Sequence, residues 1–293
     1  MKVRIGLALL LLSFLAACSS DNGLPGGSGM IEATEVMVSA EASGRIEELY
    51  AEKGMDIEID QALALIDTTT PALQLAQAEA VLESAQVKLS ADGLAISRAE
   101  LTVSLAEKEY KRIQTLLKSG SANQQQFDNV DNALRQAELG LSTARTARTA
   151  TQAEISRINA EIALLKKRLQ DCRPVSPLTG TVIDTYVEVG ELVAPGKAMV
   201  RIARLDTVEV DIYVPPNDLT EIHIGDKADV DPEDGREAPL SGRVVWISPK
   251  AEFTPKNVQT KEARADLVYA VKVRIPNPNN DLKIGMPVLV TIP

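Results

Sequence analysis

The sequence predicts an elongated α+β protein. A small β-domain is split by an inserted antiparallel α-helical coiled-coil hairpin and followed by a small β-barrel. Three observations carry this reading. One short β-unit is written twice, as ASGRIEELYAEKGMDI from Ala42 and as LTGTVIDTYVEVGELV from Leu178. Between the copies lie two long heptad runs separated by KSGSA. After the second copy the apolar period changes to two.

The chain opens with a segment outside the fold. Lys2 and Arg4 make a basic start, and IGLALLLLSFLA is too short for a spanning helix, which needs about 20 residues. Leu15–Cys18 reads LAAC, which resembles the bacterial lipobox. Residues 1–17 are therefore expected to be a lipoprotein signal peptide, with Cys18 the lipidated first residue of the mature chain. Residues 18–30, including GLPGGSGM, read as a flexible tether, because the glycines follow no strand and open no amphipathic helix. Loss of Lys2 and Arg4 takes the net charge from −10 to −12. Such an acidic exported chain is a poor partner for nucleic acid or for broad contact with an anionic lipid surface. With Cys18 lipidated only Cys172 remains, so no intrachain disulfide can form, and Cys172 is expected to face a core.

Residues 31–70 hold an N-terminal strand and the first β-copy, and residues 174–204 the second. Gly44, Ile46, Tyr50, Glu52, Gly54 and Ile57 align without a gap with Gly180, Val182, Tyr186, Glu188, Gly190 and Val193. Glu47, Glu48 and Glu52 read as a solvated strand face.

The insert, residues 71–173, is predicted to be the hairpin. Pro71 suits a first helical turn. Leu75, Leu82, Leu89, Ile96, Val103, Tyr110 and Leu117 then take heptad position a, and Ala78, Ala85, Asp92, Ala99, Ala106 and Ile113 take d. Past Gly120 the stripe resumes at Phe127, Leu134, Leu141, Arg148, Ile155, Ile162 and Leu169, with Val130, Ala137, Ala144, Thr151, Ile158, Leu165 and Cys172 at d, and Pro174 ends it. Two helices of about 47 residues joined by a short loop lie antiparallel, roughly 70 Å long at 1.5 Å per residue. A turn centred on Gly120 sets Asp92, the one acid of the first stripe, opposite Arg148, the one base of the second. The two are expected to pair and fix the register. The ends of such a hairpin return together, so the β-copies can close into one domain. That arrangement resembles the biotinyl/lipoyl fold. The turn that holds the modifiable lysine of true carriers is here replaced by the hairpin, which argues against carrier chemistry.

Over residues 205–293, VEVDIYV, GRVVWIS, YAVKVRI and MPVLVTI alternate as strands, and PPNDLTEI reads as a short helix before the turn IGDK. Trp246 and His223 are expected to pack or sit at the surface. No P-loop, Gly-x-Ser-x-Gly or metal-ligand cluster occurs, and one histidine rules out most histidine-based sites, so no enzyme activity and no cofactor are expected.

From about Ile31 onward the chain resembles the periplasmic adaptor, or membrane fusion, proteins of haemolysin-secretion-D type. The split lipoyl halves around SPLTGTV and VEVGELVAPG, the hairpin, VEVDIYVPPNDLTEIHIGDKADV and LKIGMPVLVTI carry the resemblance. EFTPKNVQTKEARADLVYAVKVRIPNPNNDLKIGM is similar to adaptors that accompany ABC-type exporters. The resemblance implies a homo-oligomer, usually a hexamer, bridging an inner-membrane transporter to an outer-membrane duct of the TolC kind. Many relatives add a membrane-proximal domain built from both termini, which is not expected here. The family's duct-binding positions fall on Arg112, Leu116 and Asn123. Arg112 and Leu116 are also i,i+4 neighbours outside the seam beside the turn. Asn123 stands where the family has Ser, and with Gln126 it fits a capping box.

A different class of reading is a structural lipoprotein that uses the coiled coil as a periplasmic spacer or docking rod. A biotin or lipoyl carrier would need a modified lysine, which an intact mass would reveal. Ser19 after the cysteine leaves the membrane leaflet open, and the inner membrane is favoured because an adaptor meets its transporter there. Substituting Cys18→Ser should leave an uncleaved precursor or release the protein from the membrane fraction, as read by intact mass and by fractionation.

Overall fold

The computed structural model describes residues 24–232, 235, 238–253 and 267–293. Cys18, the leader and part of the EFTPKNVQTKEARAD stretch lie outside these residues. The element order is β1 (Gly26–Ser39), β2 (Gly44–Leu49), β3 (Asp56–Ile57), β4 (Ala64–Ile66), α1 (Thr69–Lys118), α2 (Gln124–Asp171), β5 (Gly180–Thr185), β6 (Leu192–Val193), β7 (Ala198–Val214), α3 (Pro216–Leu219), β8 (Lys227–Asp231), β9 (Leu240–Ile247), β10 (Glu252–Phe253), β11 (Leu267–Pro276) and β12 (Pro287–Thr291). This is the α+β architecture the sequence predicts, with the hairpin inserted between the two β-copies.

The copies clasp one another by reciprocal backbone bonds. Gly54 N–H donates to Val182 O and Gly190 N–H to Ile46 O, both at 2.8 Å. Ile46 N–H donates to Glu191 O and Val182 N–H to Met55 O, both at 2.9 Å. Gly44 pairs with Val193 and Gly180 with Ile57. Each of these backbone contacts thus has its twin on the other copy, an approximate two-fold. Gly54 and Gly190 sit at φ +86° and +88°, a left-handed turn conformation that glycine adopts without strain. Between the copies lies a core of Ile46, Ile57, Leu63, Ile66, Val182, Val193 and Ile202, closed at the hairpin base by Cys172, which is 1% exposed. Burial, with Asp171 and Asp67 nearby, pushes the Cys172 thiol pKa up, so it packs as a small apolar group.

The second core belongs to the barrel. Its ladder runs β1–β12–β8–β9–β11–β7 and closes through the pairing of β7 with both β11 and β1. Inward positions are mostly β-branched, including Val208, Val210, Ile212, Val271, Val273, Val288 and Val290. Trp246 is exposed and His223 lies at the surface turn.

β1 and β7 run through both modules and shift register between Glu32 and Thr34. Next to that shift, the buried Asn277 ties β7 to the segment between β11 and β12. Its Nδ2 donates to Leu205 O and Leu282 O, its Oδ1 accepts from Leu282 N–H, and its own N–H donates to Asp206 O.

The expected tether over 18–30 is corrected in its last part. Gly26 to Met30 form the start of β1 and pair with Thr291 to Pro287 in the barrel wall. The glycines are there for close approach rather than for flexibility. A Cβ on Gly26 would lie 2.2 Å from Val290 O, and one on Gly29 would lie 2.4 Å from Asp211 O. Gly29→Val should therefore cost about 1–3 kcal/mol or more in urea unfolding, whereas Ser28→Val, on the exposed side of the same strand, should stay within about 0.5 kcal/mol of the parent.

Candidate docking site at the hairpin tip

α1 begins at Thr69, so Pro71 falls in the first turn, where a helix needs no N–H donor. Along α1 the positions assigned to a and d are the less exposed ones throughout, and Ala78 is buried. On α2 the same holds with one exception, Arg148. Burial is deepest near the base, at Ile155, Ile158, Ile162 and Leu165. Toward the tip the d positions turn to alanine at Ala99, Ala106, Ala137 and Ala144, until Tyr110 and Phe127 meet with ring centroids 5.2 Å apart and plug the seam just below the turn.

The turn is built from two caps. α1 ends in a Schellman motif: Gly120 N–H donates to Leu117 O at 3.1 Å, and Ser121 N–H donates to Leu116 O at 2.8 Å. Gly120 takes φ +73°, which accounts for its place in KSGSA. α2 starts with a capping box, in which Asn123 Oδ1 accepts from Gln126 N–H and Gln126 Oε1 accepts from Asn123 N–H, both at 2.9 Å. Asn123 therefore spends its side-chain oxygen on ordering the turn.

These caps hold Arg112 and Leu116 on the outer surface of the last turns of α1. Leu116 is 38% exposed beside the turn. The Arg112 side chain, 67% exposed, pairs with Glu109 at 2.5 Å. The tip thus offers an apolar knob flanked by an oriented guanidinium, with Lys111–Glu107 one position away. Among the described residues no group of acids, histidines and cysteines could hold a metal ion.

The register pair is corrected. Asp92 accepts a 2.6 Å hydrogen bond from the Thr151 hydroxyl, and Arg148, one turn before Thr151, is exposed. A guanidinium at that seam position would have to shed its water, and its long stem lets it reach solvent instead. The neighbouring threonine, 3% exposed, supplies Asp92 with a neutral donor that costs far less to bury. Sequence reasoning ranked charge complementarity above this cheaper partner, although Thr151 stands in the stripe as the next d residue. A second feature passed over is a row of exposed apolar residues on the back of α1, at Leu73, Val87, Leu94 and Leu101, whose spacing by sevens is legible in the sequence.

The model of the barrel-sandwich hybrid domain of RND-type MFPs (membrane fusion proteins) matches residues 34–205. A UPF0194 membrane protein from the asrC 5′ region of Acidithiobacillus ferridurans is 30% identical over 289 residues, covering 90% of this chain and 86% of its own. A UPF0194 membrane protein of Yersinia pseudotuberculosis is 28% identical, covering 90% and 88%. The crystal structure of MacA from Actinobacillus actinomycetemcomitans is similar in fold at a TM-score of 0.69 and 24% identity, covering 91% of this chain and 77% of that one.

In a double-mutant cycle, Asp92→Ala and Thr151→Ala should couple by about 1.5–3 kcal/mol, as a hydrogen bond to a charged group does, while Asp92→Ala and Arg148→Ala should couple by close to nothing. Urea denaturation of the four proteins in each cycle is the measurement.

Proposed function

The chain belongs to the membrane fusion protein family through its barrel-sandwich hybrid domain, and from that premise we propose that it is the periplasmic adaptor of a tripartite efflux or secretion machine. In this role it joins an inner-membrane transporter to an outer-membrane duct and carries no chemistry of its own. The observation that carries the reading is the hairpin. Two helices of 50 and 48 residues leave one β-module, reach a turn ordered by two caps, and return to the same module, with an exposed leucine and an arginine at the far end. That is a rigid arm with a contact surface at its tip. Membrane attachment is assigned to lipid on Cys18 because Leu15–Cys18 reads LAAC, with the inner membrane favoured because an adaptor meets its transporter there.

The finer assignments rest on the sequence. An ABC-type transporter is supported by the likeness of EFTPKNVQTKEARADLVYAVKVRIPNPNNDLKIGM to exporter-associated adaptors. A TolC-like duct is supported by Arg112 and Leu116, which stand at the family's tip positions and lie exposed on one helix face. Asn123 contributes by holding the turn, so the contact itself falls to Leu116, which fills a partner groove, and Arg112, which orients it. A ring of copies, six in the usual family arrangement, would present several such tips at once.

Leu116→Asp should abolish duct crosslinking and reduce export at least tenfold while leaving the thermal melt nearly unchanged, since the side chain lies outside the seam. Export at the parent level, measured by substrate efflux with the crosslink scored in parallel, would overturn the tip assignment.

A further inference from the structure

Beside the tip the two helices turn faces of different charge to solvent. On α1 the heptad positions away from the seam, b, c and f, hold Lys108, Lys111, Arg112 and Lys118, and all four are exposed. From first to last they cover about 15 Å of helix at 1.5 Å per residue. Lys111 and Arg112 are matched by Glu107 and Glu109 at 3.9 and 2.5 Å. Among the described residues, Lys108 and Lys118 meet no carboxylate.

The back of α2 differs at the same heights, which the contact of Tyr110 with Phe127 fixes. Its b, c and f positions there are Gln125, Asp128, Asn129 and Asn132, all exposed, one acid and three amides. Asp128 accepts from Gln124 Nε2 at 2.8 Å, which holds the carboxylate on the helix surface. The first base of α2 is Arg135, and it is paired with Asp131 at 2.9 Å.

Helix stability does not account for the basic side. Bases favour a helix C-terminus, but that influence fades within the last turn, and the last turn holds only Lys118. Lys108 stands three and four residues before Lys111 and Arg112, spacings at which like charges destabilise a helix. Nor does composition account for it, since the chain has 41 acids against 31 bases.

We propose that the tip reads a partner surface of patterned charge, in which carboxylates on the rim of the outer-membrane duct face α1 and amide or basic groups beside them face α2. The proposal rests on the adaptor reading for the partner being a duct, and it adds the chemistry of that partner's rim. Leu116 supplies the apolar contact, while the charges speed the encounter and fix which way round the arm docks. A layer of lipid phosphates is the poorer match. It offers one sign of charge to both helices, so Asp128 would oppose what Lys108 and Lys118 favour.

The test begins in cells, with the full chain carrying a photo-reactive residue at Thr115, among the four bases. The outer-membrane channel recovered in that crosslink is purified, and its association rate with the full lipidated chain is measured in detergent at low and high salt. Lys108→Glu with Lys118→Glu should slow association at least tenfold at low salt, and most of that difference should vanish near 1 M salt, where the screening length is about 3 Å. Lys108→Gln with Lys118→Gln, which puts no carboxylate at the helix end, should slow it by a smaller factor in the same direction. Asp128→Lys decides the pattern. It makes the tip more basic, yet it should slow association several-fold with a thermal melt close to the parent's. Faster association of Asp128→Lys, together with tighter binding of that variant to vesicles of phosphatidylglycerol and phosphatidylethanolamine, would mean a uniformly anionic target and would overturn the proposal. If the channel crosslinks but every charge variant associates like the parent at low salt, the proposal fails and the adaptor reading stands. If no outer-membrane channel crosslinks from the tip, the adaptor reading fails and takes the proposal with it.

Discussion

The reciprocal backbone bonds between the β-copies, Gly54 to Val182 and Gly190 to Ile46, are the constraint on which the molecule depends. They join segments separated by the whole hairpin. Closing a loop of that length would carry a large entropic cost if the loop were flexible. The hairpin removes most of that cost, because two antiparallel helices of nearly equal length bring Asp67 and Cys172 back to one place. Ile66 N–H, which donates to Cys172 O at 2.8 Å, marks the point where arm and module meet. Arm and module therefore stabilise each other, and neither half of the module has a complete core alone.

The same arm shows how packing varies along a single element. Near the base, isoleucine and leucine fill the seam. Midway, Asp92, Thr151 and the outward Arg148 replace an apolar layer with one short hydrogen bond, and on the tip side of that layer alanine takes the d positions Ala99 and Ala144. A thin seam lowers the stability of the isolated hairpin, since most helical stability in proteins comes from burying an apolar face. The caps at the tip add to the Tyr110–Phe127 contact in holding Leu116 and Arg112 in place.

Force applied at the tip passes to the barrel through β1 and β7, the two strands common to both modules. Beside their shift of register at Glu32 to Thr34, the buried Asn277 ties β7, at Leu205 and Asp206, to Leu282 in the segment between β11 and β12. A polar clasp of this kind specifies one geometry for the crossing, since any other arrangement would strand its amide.

The sequence alone determined what depends on period and on local chemistry. Sevens along both arms, a gapless repeat at Gly44 and Gly180, alternating strands after Leu205, the capping box at Asn123 and the exposed place of Leu116 are all written in neighbouring residues. Tertiary structure decided whatever depends on which distant groups meet. GLPGGSGM read as a tether because its glycines have no local periodicity, yet opposite Val290 and Asp211 the absence of a Cβ is what lets Gly26 and Gly29 enter the barrel wall. Asp92 found Thr151 rather than Arg148, because the free energy of desolvating a guanidinium outweighs the complementarity of formal charges, and desolvation depends on the depth of a seam that heptad letters do not record.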